Sequence, residues 1–86
     1  MKCFRDEQQM NHALVTILKD IRINLGLSQP ELESKLGVGS EYVSKIERGK
    51  IKVSLELLRK YTTVIDTTIS SLLERAEKYA NIHKQV

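Results

Sequence analysis

The chain has 86 residues, with 14 Lys and Arg against 11 Asp and Glu, which gives a formal net charge of +3 at pH 7. A chain of this length holds one small hydrophobic core, and its single cysteine excludes a disulfide within the chain. The proportions of 41% hydrophobic and 29% charged residues are typical of a globular domain and not of a disordered chain. There is no apolar run long enough to cross a membrane and no pattern of a secretory signal, so we expect a cytoplasmic protein without membrane contact.

Helical periodicity predicts the first two elements of the chain. The first helix carries apolar residues three or four positions apart, namely Leu14, Ile17, Leu18, Ile21 and Leu25. Gly26 then supplies the left-handed residue with which many helices end. Ser28 and Glu31 have the spacing of a capping box, in which each side chain satisfies a backbone N–H of the other residue. They predict a second helix that ends at Gly37, and its inward-facing residues are Leu32 and Leu36.

Two further helices follow after short connections. The third begins after Gly39, its predicted N-cap, and ends at Gly49. Val43 and Ile46 lie three positions apart and are expected to face the core. Ser54 is the predicted cap of a fourth helix. The predicted core residues of that helix are Leu55, Leu58, Tyr61 and Ile65.

The last connection and the last helix complete an all-α pattern. We expect Asp66 to adopt a left-handed conformation in the turn, and Thr68 to cap a fifth helix. Its apolar positions are Ile69, Leu72, Leu73, Ala76, Tyr79, Ala80 and His83. No segment alternates with the period of a strand for long enough, so the fold class is all-α with five helices. We divide the chain into an N-terminal extension at 1–9 that we expect to fray, a domain at 10–73 and a helical extension at 74–86.

Two short helices joined by the three residues 37–39 form a helix-turn-helix. The chain resembles the phage repressor and Cro family, the class that includes xenobiotic-response-element regulators. The segments that carry the resemblance are 22–32, 36–38, 43–50, 54–58 and 69–73. The resemblance extends without a gap over about two-thirds of the chain and implies a lambda-repressor-like DNA-binding domain with an extended last helix. The chain departs from the family pattern at Gly39, Val53 and Asp66, where a hydroxyl N-cap, Pro and Gly are common.

The resemblance implies that the third helix enters the major groove of double-stranded DNA, where its first residues meet the base edges. The candidate base-reading residues are Ser40, Glu41, Tyr42, Ser44 and Lys45. The candidates for contact with the phosphate backbone are Gln29, at the N-terminus of the second helix, and the basic residues Arg48, Lys50 and Lys52. For Arg22 and Glu47 the resemblance suggests a structural ion pair between the first and third helices.

Some of these residues have alternative structural interpretations. Tyr42 either packs on the first helix or contacts DNA. Glu41 is favoured as an acid that stabilises the first turn of the third helix over a base-reading residue. For Lys50 and Lys52 the alternative is a solvated loop, and we favour phosphate contact.

No pattern in the chain points to catalysis, a metal or a cofactor. His12 and His83 are far apart and have no ligand partner at metal spacing. Cys3 has no His or Asn partner of the kind that activates a nucleophile, and no Gly-rich phosphate loop is present. We therefore expect a protein that is not an enzyme and that holds neither a metal nor a cofactor.

The sequence thus predicts a dimeric transcriptional regulator of a near-palindromic operator, acting as a small autoregulatory repressor, a restriction–modification controller or an antitoxin. The homodimer is expected from apolar residues beyond those that the core needs, namely Leu57, Val64, Leu73, Ala76, Tyr79 and Ala80. The alternative for this surface is that the helical extension folds back over the chain's own core. The alternative function is a protein-interaction module, or an antitoxin, whose tail at 74–86 binds a partner protein such as a toxin.

Overall fold

The computed structural model describes residues 7–84, and in this part of the chain it contains five α-helices and no strand. The helices are α1 (Glu7–Asn24), α2 (Gln29–Leu36), α3 (Tyr42–Glu47), α4 (Leu55–Thr62) and α5 (Ile69–Lys84). The prediction of an all-α fold with five helices is confirmed. Within the same residues, no helix combines the length and the hydropathy that are needed to span a membrane.

One hydrophobic core joins all five helices. α1 packs against α5 and α3, α2 packs against α3, and α4 packs against α5. The His12 ring lies 6.0 Å from the Tyr79 ring, which links the first half of α1 to the second half of α5. Burial raises the pKa of the Tyr61 phenol, whose hydroxyl has no hydrogen-bond partner among the described residues. Buried residues from the five helices include Leu14, Leu18, Leu32, Leu36, Val43, Ile46, Leu58, Tyr61 and Leu72.

Local capping motifs set the starts of three helices, as the sequence predicts. In the capping box of α2, the Glu31 N–H donates to Ser28 Oγ at 3.2 Å and the Ser28 N–H donates to Glu31 Oε1 at 2.7 Å. The hydrogen bond from the Ser28 backbone lowers the pKa of the Glu31 carboxyl. Ser54 and Thr68 cap α4 and α5, each accepting from the N–H three residues on, at 3.1 and 3.0 Å.

Two turns differ from their predicted conformations. α3 begins at Tyr42 and not directly after Gly39, because a turn closes first, with the Tyr42 N–H donating to the Gly39 carbonyl at 3.3 Å. The N-cap is Glu41, at φ 66°, and it is the one non-Gly residue with positive φ in the described part of the chain.

The turn before α5 also differs from its prediction. Asp66 does not have a positive φ, so the prediction that it is left-handed is wrong. The Thr67 N–H donates to the Ile65 carbonyl at 2.9 Å, and such a three-residue turn accepts a negative φ at its centre.

The predicted core face is wrong at three leucines. Leu55 is 68% exposed, whereas Leu57, predicted as surface, is only 3% exposed. α4 starts at Leu55, and its inward face is formed by Leu57, Leu58 and Tyr61. Leu25 is also exposed, because α1 ends at Asn24 and the chain turns before this side chain can continue the inward face.

α5, which contains the described part of the predicted C-terminal extension, packs on α1 of the same chain. Leu57, Ala76 and Ala80 are buried in the single chain, so the prediction that they belong to surplus apolar surface is wrong. Two small buried residues of α5, Ala76 and Ala80, allow the helix to lie close against α1. The other three candidates for an interface, Val64, Leu73 and Tyr79, are half-buried against the core.

The predicted boundaries of the two extensions fall inside helices. α1 begins at Glu7, three residues before the predicted start of the domain, and α5 runs through the predicted boundary at residue 73. Residues 1–6 of the predicted N-terminal extension, including Cys3, lie outside the described residues, as do residues 85–86 and the side chain of His83.

The two leucines at the start of α4 give a direct test of this packing. Leu57→Ala should lower the free energy of unfolding by about 2–5 kcal/mol, because it removes buried methyl groups and leaves a cavity. Leu55→Ala, the matched control, should change it by less than about 0.5 kcal/mol, because its side chain lies in solvent. Urea unfolding followed by circular dichroism measures both. A larger loss for Leu55→Ala than for Leu57→Ala would contradict the structure.

Candidate nucleic-acid interface

α2 and α3 form a helix-turn-helix whose turn covers residues 37–41. Gly37 is left-handed at φ 73°, and its N–H donates to the carbonyls of Glu33 and Ser34 at 2.9 and 3.3 Å. Leu32 and Leu36 of α2 and Val43 and Ile46 of α3 are buried in the same core. The turn is longer than the three predicted residues because α3 begins at Tyr42. α3 occupies the place of the recognition helix in the motif, and we use that name for it.

The carboxylate of Glu47, the last residue of α3, joins three helices. Arg22 of α1 donates through Nε to Oε2 at 2.7 Å and through Nη2 to Oε1 at 3.0 Å. Gln29 of α2 donates through Nε2 to Oε1 at 2.9 Å. The remaining guanidinium nitrogen of Arg22, Nη1, donates to the Leu27 carbonyl at 2.7 Å. The ion pair that the family resemblance suggests is thus present, and it extends into a network that includes the first residue of α2.

Burial makes this ion pair more than a surface contact. The side chains of Arg22 and Glu47 are 12% and 3% exposed. The hydrogen bonds from Arg22 to Glu47 raise the pKa of the guanidinium. Because both side chains are largely shielded from water, removal of either one leaves the other charge without its partner.

Glu33 is a residue of the site that the sequence analysis does not identify. Its Oε2 accepts a hydrogen bond from the Val43 N–H, in the first turn of α3, at 3.1 Å. The Glu33 residue is 7% exposed, which is unusual for a carboxylate. The sequence contains one indication of this burial, because Glu33 lies between the inward-facing Leu32 and Leu36 on α2.

The candidate base-reading residues divide between the turn and the recognition helix. Ser40 and Glu41 are exposed and precede α3, and the Glu41 side chain makes no capping hydrogen bond. Glu41 is therefore not the first-turn acid that the sequence analysis favours. Tyr42 is half-buried and packs against the core, which agrees with the structural alternative for this residue. Ser44 is half-buried and Lys45 is exposed, so Lys45 is the exposed cation of the helix itself.

The candidate phosphate contacts come before and after the recognition helix in the sequence. The Gln29 side chain is bonded to Glu47, so its part in binding a phosphate would rest on the backbone at the N-terminus of α2. Arg48, Lys50 and Lys52 are exposed in the connection from α3 to α4, which we call the basic loop (residues 48–53). Because Gln29 touches Glu47 and Arg48 follows Glu47 directly, both groups of candidates meet at the C-terminal end of α3.

The basic loop is anchored at both ends. At its start, the Lys50 N–H donates to the Lys45 carbonyl at 2.8 Å, and Gly49 adopts a left-handed φ of 77° that turns the chain away from α3. At its end, the Val53 N–H donates to Asn11 Oδ1 of α1 at 2.6 Å. Asn11 is a second residue that the sequence analysis does not identify, since its partner lies 42 positions away.

The ion pair can be tested by a double-mutant cycle. Glu47→Ala and Arg22→Ala should each lower the free energy of unfolding by about 3–5 kcal/mol, because each leaves a buried charge without its partner. The double variant should lose much less than the sum. The exposed pair of Glu56 and Arg59, 3.3 Å apart, is the control, and Glu56→Ala should cost less than about 1 kcal/mol. Thermal melts of all four variants would contradict the network if the Arg22 and Glu47 effects were additive.

Comparison with known proteins agrees with this geometry. The helix-turn-helix family matches residues 18–72. The transcriptional regulator SinR of Bacillus subtilis is 36% identical over 58 residues, which cover 66% of this chain and 52% of SinR. SinR of Bacillus licheniformis is 34% identical over 62 residues, covering 71% of this chain and 56% of that protein. An uncharacterized HTH-type transcriptional regulator of Archaeoglobus fulgidus is 35% identical over 57 residues, covering 66% of this chain and 81% of its own.

The chain spans about half the length of the two SinR proteins that it matches. No solved structure matches the chain. The family match runs from the middle of α1 to the first turns of α5 and so includes the whole of the helix-turn-helix. The chain belongs to the helix-turn-helix family, as its sequence predicts.

Proposed function

We propose that the chain is a transcriptional regulator that binds double-stranded DNA in a sequence-specific way. The observation that carries the proposal is the Glu47 network, which fixes the recognition helix against α1 and α2 while Lys45 and the cations of the basic loop stay exposed. A rigid helix beside exposed cations fits the requirement of major-groove binding, in which phosphate contacts position the protein and base contacts give selectivity. The names of the curated relatives, which are transcriptional regulators, support the regulatory role.

In this proposal the recognition helix and the turn before it read the bases. Lys45 donates to guanine O6 and N7, and the hydroxyls of Ser40 and Ser44 donate or accept. Glu41 accepts from a cytosine amino group, and its exposure before α3 supports a role outside the core. Tyr42 contributes packing first, since it is half-buried against the core.

The phosphate contacts come from the backbone at Gln29 and from Arg48, Lys50 and Lys52. The hydrogen bonds that anchor the basic loop to Lys45 and Asn11 support this role, because an ordered loop loses less conformational freedom on binding. The exposed N-terminus of α2 adds a positive dipole end.

We further propose that the regulator acts as a homodimer on a near-palindromic operator. A two-fold dimer that sets its recognition helices about 34 Å apart would match one turn of DNA. The proposed interface is restricted to Val64, Leu73 and Tyr79, because the other candidates are buried in the single chain. Within this class we propose an autoregulatory switch that is a repressor, a restriction–modification controller or an antitoxin. The alternative, a protein-interaction role for residues 74–86, gains no support, because Ala76 and Ala80 of this segment are already buried where α5 packs on α1.

Two lysines should separate phosphate contact from base reading. Lys50→Ala should weaken binding equally on all sequences and reduce the salt slope by about one unit, because it removes one phosphate contact. Lys45→Ala should relax the preference at one base pair by about 1–3 kcal/mol. Titrations at several salt concentrations, on the preferred duplex and on a scrambled duplex, measure both effects. The control is Lys78→Ala, an exposed lysine of α5. A salt slope of Lys50→Ala equal to that of the control would exclude the phosphate contact.

The dimer has its own test. Leu73→Glu should lower the molar mass seen by light scattering and the affinity for a duplex with two half-sites, because it introduces a charge into the proposed interface. Its affinity for a single half-site should change little. Ile23→Glu makes the same change at an exposed residue of α1 and serves as the control. A parent protein that stays monomeric at micromolar concentration and binds one half-site as well as two would rule out the dimer.

A further inference from the structure

The N-cap residue of the recognition helix does not satisfy the N–H groups of its first turn through its side chain. The helix has six residues, and its N-cap, Glu41, is left-handed and makes no side-chain cap hydrogen bond. A left-handed conformation is unfavourable for a residue with a Cβ, and the first N–H groups of any helix lack intrahelical partners. A helix this short is not stable on its own and depends on contacts from neighbouring elements.

Glu33 supplies the missing contact from the preceding helix. Its carboxylate, buried on α2, accepts from the Val43 N–H at 3.1 Å, and Val43 is fully buried. A hydrogen bond to an ionised acceptor is stronger than a neutral one, and a negative charge is favoured at a helix N-terminus. The two ends of the recognition helix are thus held by two carboxylates, Glu33 at the start and Glu47 at the end.

We propose that Glu33 is a positioning residue for sequence recognition, which sets the selectivity of DNA binding without touching DNA. The proposal rests on the proposed function. Val43 is followed directly by Ser44 and Lys45, so the point that Glu33 fixes decides where these two side chains meet the base edges. A misplaced recognition helix should weaken discrimination between bases more than it weakens the overall affinity for DNA, because contacts with the phosphates do not depend on the base sequence.

Two variants of Glu33 remove the oxygen that accepts from the Val43 N–H, and a third variant keeps an acceptor oxygen there. Glu33→Met removes the acceptor and keeps the buried volume, Glu33→Ala removes the acceptor together with the rest of the side chain, and Glu33→Gln keeps an oxygen that can accept from Val43. Ser54→Ala is the matched control, since it removes an N-cap hydrogen bond of similar length, 3.1 Å, from α4. Thermal melts define a temperature at which every variant compared is folded.

Two measurements are made on each folded variant. Hydrogen exchange at the Val43 amide, followed by NMR, reports the contact without DNA. The ratio of affinities for a preferred and a scrambled duplex, the preferred one selected with the parent chain, reports selectivity. Glu33→Met and Glu33→Ala should speed Val43 exchange and lower the selectivity ratio, each by about tenfold. Glu33→Gln should stay near the parent values, and Ser54→Ala should change neither.

The outcomes distinguish a purely structural role of Glu33, as a cap of α3, from a role in the selectivity of DNA binding. Faster Val43 exchange with an unchanged selectivity ratio would reduce Glu33 to a structural cap and overturn the proposal. Unchanged exchange in Glu33→Met would show that the contact does not hold the helix, and would overturn it as well. If the parent chain itself prefers no duplex, the proposed function fails and the positioning role fails with it, while the exchange rates still report whether Glu33 caps the helix.

Discussion

The buried carboxylate of Glu47 is the group on which the arrangement of the first three helices depends. A charge with 3% exposure is costly unless hydrogen bonds replace the water that it has lost. Those hydrogen bonds come from Arg22 on α1 and Gln29 on α2, so the carboxylate is satisfied only when α1, α2 and α3 stand in one relative position. The polar network therefore selects an orientation that apolar packing alone would leave less defined.

This constraint explains how so short a recognition helix is held in place. Its inward side chains, Val43 and Ile46, are fully buried, and its two ends are bonded to other helices through Glu33 and Glu47. The exposed residues between these fixed points need not stabilise the helix. Lys45 and the basic loop can then contact DNA while other residues hold the helix in place, and the proposed function requires this division of roles.

Much of the fold could be predicted from sequence because its signals are local. The capping box of Ser28 and Glu31 links residues three positions apart, and Gly37 ends its helix through bonds to the preceding turn. The start of α3 could not be predicted in this way. The partner of the Val43 N–H lies ten positions back on α2, and Gly39 offered a simpler cap that the chain does not use.

The other wrong predictions concern which apolar residues are buried and what packs against them. Periodicity gives the apolar face of a helix with an uncertainty of one or two positions at its ends, which is why Leu55 and Leu57 exchange their predicted environments. Ala76 and Ala80 have the spacing of an apolar face, but the pattern does not say what packs on it, and α1 of the same chain does so. The Arg22 and Glu47 pair lies where the family resemblance suggests it, although its extension to Gln29 needed the structure.

The central claim is that this chain reads a DNA sequence through a recognition helix held at both ends. Selection of bound duplexes from a pool of random DNA, with several rounds and sequencing of each round, tests it most directly. The account predicts an enriched motif with two inverted half-sites, centred about one helical turn apart. A bound pool with the same base composition at every position as the input, at salt concentrations where the chain still binds DNA, would contradict it.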